Sequence, residues 1–347
     1  MSEILFQPIT VNRTVIVNRL AFAAAKDYLD GDTVRRQARY ATVAAGGTGL
    51  IIAGAADLGN RDGWRAVVGA VHANGGKIMP QLAPLPSDVS AEQPSRLSGG
   101  EIAAMICQYA DQAAAAKALG ADGVEIHAAH NSHCARFLSP LTNTRRDEWG
   151  GSLENRLRLH REIYTAVRKK VGDEFPVIIK LGIEDAQPGG LKFAEGRQAA
   201  AILATHGYDA IEVSLGLRDH HTAPPFPATP PQSFIIKSHG EARLREWSKD
   251  IKALVKKPLI LTGGITSPVV AARLVADGYA DIVGMCRAVI SEPRLVARWH
   301  DGDLSPAPCN SCNKCVTELY AKGLPLECHT AKKSLAELLF TPPPPCG

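Results

Sequence analysis

Long apolar runs are missing from this chain of 347 residues, and no stretch is long enough to cross a bilayer as a helix. An excess of one charge is missing too. The 39 Lys and Arg stand against 35 Asp and Glu, leaving a net charge of +4 with the charges interspersed. That balance points neither to nucleic acid nor to an anionic membrane surface. The opening residues, Met1-Ser-Glu-Ile-Leu-Phe-Gln-Pro8, have no basic stretch followed by an apolar core. No leader is read there, so a cytoplasmic location is expected. No linker divides the chain, and 45% hydrophobic residues supply ample material for one large core.

What is present is an alternation of short apolar runs with longer helical patterns. Strands are expected over residues 19–24, 49–53, 77–82, 124–126, 177–181, 210–214, 259–261 and 282–285. They are apolar without strict alternation, which suits a parallel sheet covered on both faces. Helices are expected over residues 100–119, 152–171, 194–206 and 268–276. Eight strands, each followed by a helix, predict an α/β fold, a single (β/α)8 TIM barrel over residues 1–300. A Pro-rich loop is expected at 223–231, a loose tail at 341–347, and a cysteine-containing extension packed on the barrel at 301–347.

The most informative stretch is Gly123-Val-Glu-Ile-His-Ala-Ala-His130. It runs on through Phe137-Leu-Ser-Pro-Leu-Thr-Asn143 to Asp147-Glu-Trp-Gly-Gly-Ser-Leu-Glu-Asn-Arg156. A strand delivers His127 and His130 into a long polar loop, where α/β proteins bind ligands. The bland alternative, two satisfied core imidazoles, is the weaker reading for a strand-end pair. Further on, Leu261-Thr-Gly-Gly-Ile-Thr266 and Val283-Gly-Met-Cys-Arg-Ala288 end the last two strands. Gly263 and Gly264 let backbone N–H groups approach an anion, and Arg287 supplies a fork for phosphate.

Together these segments resemble the old yellow enzyme family of FMN-dependent oxidoreductases, from about Leu5 to about Pro293. The resemblance implies FMN as cofactor and NAD(P)H as reductant. A small electron-poor alkene or related acceptor would be held by His127 and His130. It places the small residues Ala23, Ala24, Ala25 and Ala55 against the flavin, and Gln81 on its pyrimidine edge. Lys180 would stand beside the reduced ring's negative charge, and Gly263, Gly264, Cys286 and Arg287 would take the phosphate. Tyr28 falls where some members keep an active-site tyrosine. Two departures stand out. Ser132 occupies the position of the family's usual tyrosine proton donor, and Cys286 stands where Gly is usual. The segment at 83–97 is also shorter than in most members.

Residue chemistry alone leaves other readings open. Lys180 could pair with Glu125 or Glu212, or act as a Schiff-base lysine in a flavin-free aldolase or isomerase barrel. A non-catalytic binding barrel is the third reading. The eight cysteines are uneven: Cys309, Cys312, Cys315 and Cys328 follow a C-x2-C-x2-C-x12-C spacing near the end. Four thiolates so spaced could ligate a [4Fe–4S] cluster or zinc, or remain free thiols. The spacing is similar to the cluster-binding run of the 2,4-dienoyl-CoA reductase branch. A small-molecule substrate is expected, without nucleic acid or membrane, and a homo-oligomer is compatible.

Overall fold

The computed structural model describes residues 2–29, 31–54, 56–83, 93–217, 240–315, 322 and 324–328. Ala55, the loop expected at 223–231, the tail at 341–347 and most of the segment at 83–97 lie outside the described residues.

Eight parallel strands close into a barrel. In chain order they are β3 (Leu20–Phe22), β4 (Leu50–Ala53), β5 (Lys77–Leu82), β6 (Val124–Ala128), β7 (Val177–Gly182), β8 (Ile211–Ser214), β9 (Leu259–Thr262) and β10 (Ile282–Met285). β10 pairs with β3, which leaves the barrel without an edge. The expected (β/α)8 barrel is therefore the fold observed. Two short antiparallel strands precede it, β1 (Ile9–Val11) and β2 (Thr14–Ile16), which the apolar-run reading does not anticipate. Their Val11 and Ile16 plug the barrel interior, packing with Ala21, Leu50, Ile52, Met79, Ile178, Ala210, Ile260 and Ile282. Each fully buried branched side chain contributes about 1.5–3 kcal/mol, so this plug closes the N-terminal end of the barrel firmly.

The helices cover the outside through a second, larger apolar layer. Pro268–Ala276 is a helix as expected, capped by Ser267. The helix Gly99–Ala118 begins with a capping box between Ser98 and Glu101. The single helix expected over 152–171 is instead two, Leu153–Arg156 and Arg158–Val171. At the join Arg156 turns inward, 2% exposed, to donate to the Leu138 carbonyl and to pair with Glu195.

Candidate active site

Successive side chains of a strand point to opposite faces, so every second residue enters the barrel. On this inner face an apolar residue is followed, two positions on, by a polar or very small one. Met79 is followed by Gln81, Ile178 by Lys180, Ala210 by Glu212, Ile260 by Thr262, Ala21 by Ala23 and Ile282 by Gly284. The interior therefore changes from dry to polar towards the C-terminal mouth, where barrel enzymes bind their ligands.

The polar level is one network. Gln81 Nε2 donates to Glu125 Oε2 at 2.7 Å. Lys180 Nζ meets Glu212 Oε1 at 2.8 Å, and Thr262 Oγ1 donates to the same oxygen at 2.7 Å. Burial disfavours the Lys180 ammonium, but Glu212 and then Glu125 outweigh it and hold the group above the usual lysine range. Burial also opposes the Glu212 carboxylate, yet Lys180, the neighbouring Glu125 carboxyl and the Thr262 hydroxyl hold it below the usual range. Glu125 goes the other way, pushed well above by burial and then by Glu212. Lys180 thus has the carboxylate partner that the residue chemistry allowed, at the position the resemblance assigned to the flavin cation.

His127 and His130 stand edge to face, ring centroids 5.4 Å apart. His130 adopts a left-handed backbone, φ 51°, and its Nε2 lies 2.7 Å from Ser214 Oγ at the end of β8. That contact fixes the ring across the barrel mouth. Ser132 is committed elsewhere. Its hydroxyl donates to the His127 carbonyl at 2.8 Å and accepts from Ala135 N, capping the short helix His133–Leu138. It is a structural cap with no proton to spare. Tyr28 has φ 53°, carries the Lys26 ammonium 4.8 Å above its ring, and packs on the Cys315–Leu326 cluster, as do Ala25 and Ile290. Ala23 is buried, while Ala24 and Ala25 are half-buried at the same mouth.

A cleft lies beyond β9 and β10, lined by Gly263, Gly264, Thr266, Cys286, Arg287, Cys309 and Ser311 among others. Gly264 needs glycine, with φ 71°. Arg287 Nη1 is buried there without a hydrogen-bond partner. Burial and then the Arg287 charge depress Arg243 below the usual arginine range. A buried guanidinium nitrogen lining the cleft, with a second guanidinium within electrostatic range, suits an anion. No local pattern in the sequence marks Arg243.

The extension reaches back over this mouth. Ala307 N donates to the Thr266 carbonyl, Leu326 N to the Asp27 carbonyl, and Arg35 pairs with Glu327 at 2.6 Å. Cys309 lies within electrostatic range of Cys286, Cys312, Cys315 and Cys328. Among the described residues no three His, Cys, Asp or Glu side chains converge as a metal-ligand set.

The long motif that makes the sequence recognisable is mostly scaffold. Asn143 donates to the Phe137 and Trp149 carbonyls, Arg145 to those of Pro94 and Leu97, and Asn155 to those of Asp147 and Gly150. These bonds satisfy backbone groups of a long loop that has no ladder of its own.

A model of the NADH:flavin oxidoreductase / NADH oxidase family matches residues 91–303. A metal reductase of Desulforamulus reducens is 29% identical over 380 residues, covering 98% of this chain and 55% of that protein. An NADPH dehydrogenase of Bacillus subtilis is 31% identical over 348 residues, covering 89% of this chain and 98% of that protein. Morphinone reductase superposes with a TM-score of 0.67 at 25% identity, covering 88% of this chain and 92% of that structure. A 2-naphthoyl-CoA reductase complex, at 24% identity and TM-score 0.76, covers 88% of this chain and 54% of its own and shares the fold. The chain spans about half the length of several curated relatives it matches, 55% of that metal reductase, 42% of an NADH oxidase of Thermoanaerobacter brockii and 54% of an N,N-dimethylglycine/sarcosine dehydrogenase of Chromohalobacter salexigens.

Because Ser132 acts as a cap, Ser132→Ala should lower stability by about 1 kcal/mol. A shift of the urea midpoint without loss of turnover is the expected result. A large loss of turnover with an unchanged midpoint would return Ser132 to the chemistry.

Proposed function

The chain belongs to the NADH:flavin oxidoreductase / NADH oxidase family, and from that premise we propose that it is an FMN-dependent oxidoreductase passing hydride from NAD(P)H to a small electron-poor alkene or related acceptor. One observation carries the reading. A buried, unpartnered Arg287 nitrogen lines a glycine cleft at the same barrel mouth as a buried Lys180 and two imidazoles. The residues fit FMN. Arg287, Arg243 and the Gly263–Gly264 backbone suit its phosphate, Gln81 and Lys180 its pyrimidine edge, and Ala23 leaves room for a flat ring. When bound, FMN supplies the hydride-carrying chemistry that no side chain here possesses.

The chain's own groups would do the rest. His127 and His130 hold the acceptor's carbonyl or nitro oxygen by hydrogen bonds that strengthen as negative charge gathers there. Ser214 keeps the His130 ring aimed. As hydride reaches the β-carbon, the π electrons shift towards that oxygen, and a proton must reach the α-carbon. Ser132 is occupied, so Tyr28, the phenol at this mouth, takes the donor role in this reading. A cytoplasmic setting belongs to the same proposal. Among the described residues no helix is long and apolar enough to cross a membrane.

Arg287→Ala should lower FMN affinity at least tenfold, the effect of losing about 1.4 kcal/mol, measured by flavin fluorescence on release. Unchanged affinity would move the phosphate elsewhere. Replacing both His127 and His130 with Ala should leave FMN bound and abolish the long-wavelength absorption produced by a phenol stacked on oxidised flavin. A normal band in that variant would remove the imidazoles from the acceptor site. Donor chemistry also suits Cys309, Cys312, Cys315 and Cys328 to a [4Fe–4S] cluster, and about four irons and four sulfides per chain are expected after anaerobic isolation. Zinc or no metal in that analysis would overturn the assignment.

A further inference from the structure

Three buried ionisable groups from consecutive strands meet inside the barrel: Glu125 on β6, Lys180 on β7 and Glu212 on β8. The strand registers set Gln81 level with Glu125 and Lys180 level with Glu212, while His127, two residues beyond Glu125 on β6, is the residue level with Lys180. Glu125 and Glu212 are both 0% exposed. Each has one oxygen fully accounted for: Glu125 Oε2 accepts from Gln81, and Glu212 Oε1 accepts from Thr262 and Lys180. Each has one oxygen left over. Glu125 Oε1 and Glu212 Oε2 are buried with no donor, although the two carboxyl groups lie within hydrogen-bonding reach of each other.

Two buried carboxylates in contact repel by several kcal/mol, and one cation compensates only one of them. A single proton between the two leftover oxygens resolves both defects. It removes the like-charge contact and gives each orphan oxygen a partner. The groups facing the pair are Lys180, Gln81, Thr262, His127 and the Cys286 thiol. Lys180 sets its positive charge against the carboxyl groups, and burial keeps the Cys286 thiol, its pKa raised to about 11, from adding a negative one.

We propose that Glu125 and Glu212 hold one shared proton, and that this pair positions Lys180 and keeps the three-residue cluster electrically neutral. The proton lies nearer Glu125, and Glu212 serves Lys180 as carboxylate. The role towards a flavin edge rests on the function proposed above; the shared proton does not. With the pair singly protonated, the field of Lys180 at the pyrimidine edge is that of an ion-pair dipole. With both carboxylates ionised the cluster would be negative and would oppose electron uptake beside it.

Infrared spectroscopy of the full chain tests this, with FMN bound and after FMN is stripped, at a pH well above the range where exposed carboxylates titrate. A protonated-carboxyl carbonyl stretch should be present in both states and lost in Glu125→Gln. Its absence from the wild type, or its survival in that variant, would overturn the shared proton. The FMN midpoint potential gives a second reading. Glu125→Gln keeps the cluster neutral and should leave the potential where it is, whereas Glu125→Gln combined with Glu212→Gln should shift it positive. A positive shift in Glu125→Gln alone, as large as the further step to the double variant, would mean that Glu125 was ionised and the proposal wrong. If no FMN binds but the stretch appears and responds to Glu125→Gln, the shared proton stands and the flavin reading falls.

Discussion

A lysine ammonium enclosed by a barrel is the constraint on which this site depends. Isolated, it would lose its proton or destabilise the fold, because burial removes the water that stabilises charge. The barrel resolves this by supplying Glu212 from the next strand at 2.8 Å. That solution creates a second demand, since Glu125 on the preceding strand then lies beside a carboxylate. Gln81 and Thr262 each satisfy one oxygen of the cluster. The polar level is therefore one interlocked unit of five strands, and replacing any member alone leaves another unpaired. The apolar plug beneath it, sealed by Val11 and Ile16, keeps water from reaching the network from below.

The anion cleft follows the opposite logic. There, among the described residues, a buried Arg287 nitrogen has no partner, and burial and then the Arg287 charge hold Arg243 below the usual arginine range. A protein at equilibrium tolerates such a defect where a ligand removes it, which is why unsatisfied buried groups mark binding sites. The two regions of the mouth divide the work. One is self-neutralised and orients, while the other is charged and captures.

Much of this was legible in the residues. Lys180 stood out because a charge in an apolar strand needs an explanation, and Glu125 and Glu212 were visible as its candidate partners. His127 and His130 were legible from their place at a strand end. The glycines at 263 and 264 were legible because Arg287 follows two dozen residues later, just past the end of the adjacent strand. Other features were hidden for geometric reasons. The contact of Glu125 with Glu212 joins strands that are separated by a third, so no sequence spacing encodes it. Arg243 follows a stretch with no periodic pattern. The β1–β2 hairpin is too short for apolar periodicity to show. Ser132 was misleading in one sense: its position suggested a missing acid, whereas its hydroxyl holds the turn that carries both histidines.

The extension belongs in the same physical account. It bonds to the barrel through Ala307, Leu326 and Glu327, at the ends of β9 and β3 and on the helix Thr33–Ala45. Cys315 and Leu326 pack directly on Tyr28, so the extension forms part of the wall around the proposed proton donor. Cys286 is the joint between extension and cleft, because it lines the cleft and sits within range of Cys309 and Cys315. Burial raises the Cys286 thiol to about 11 and Cys315 to about 12, so neither is a thiolate at neutral pH while it stands as a thiol. An electrophilic metal centre at Cys309, Cys312, Cys315 and Cys328 would reverse that for its ligands, since coordination removes the thiol proton. Cys286 lies outside that set and would stay neutral. A neutral thiol leaves Arg287 its full charge, and the backbone N–H of Cys286 remains free of any side-chain competition for an anion. Cysteine thus replaces the family's usual glycine without cancelling the charge that the cleft depends on.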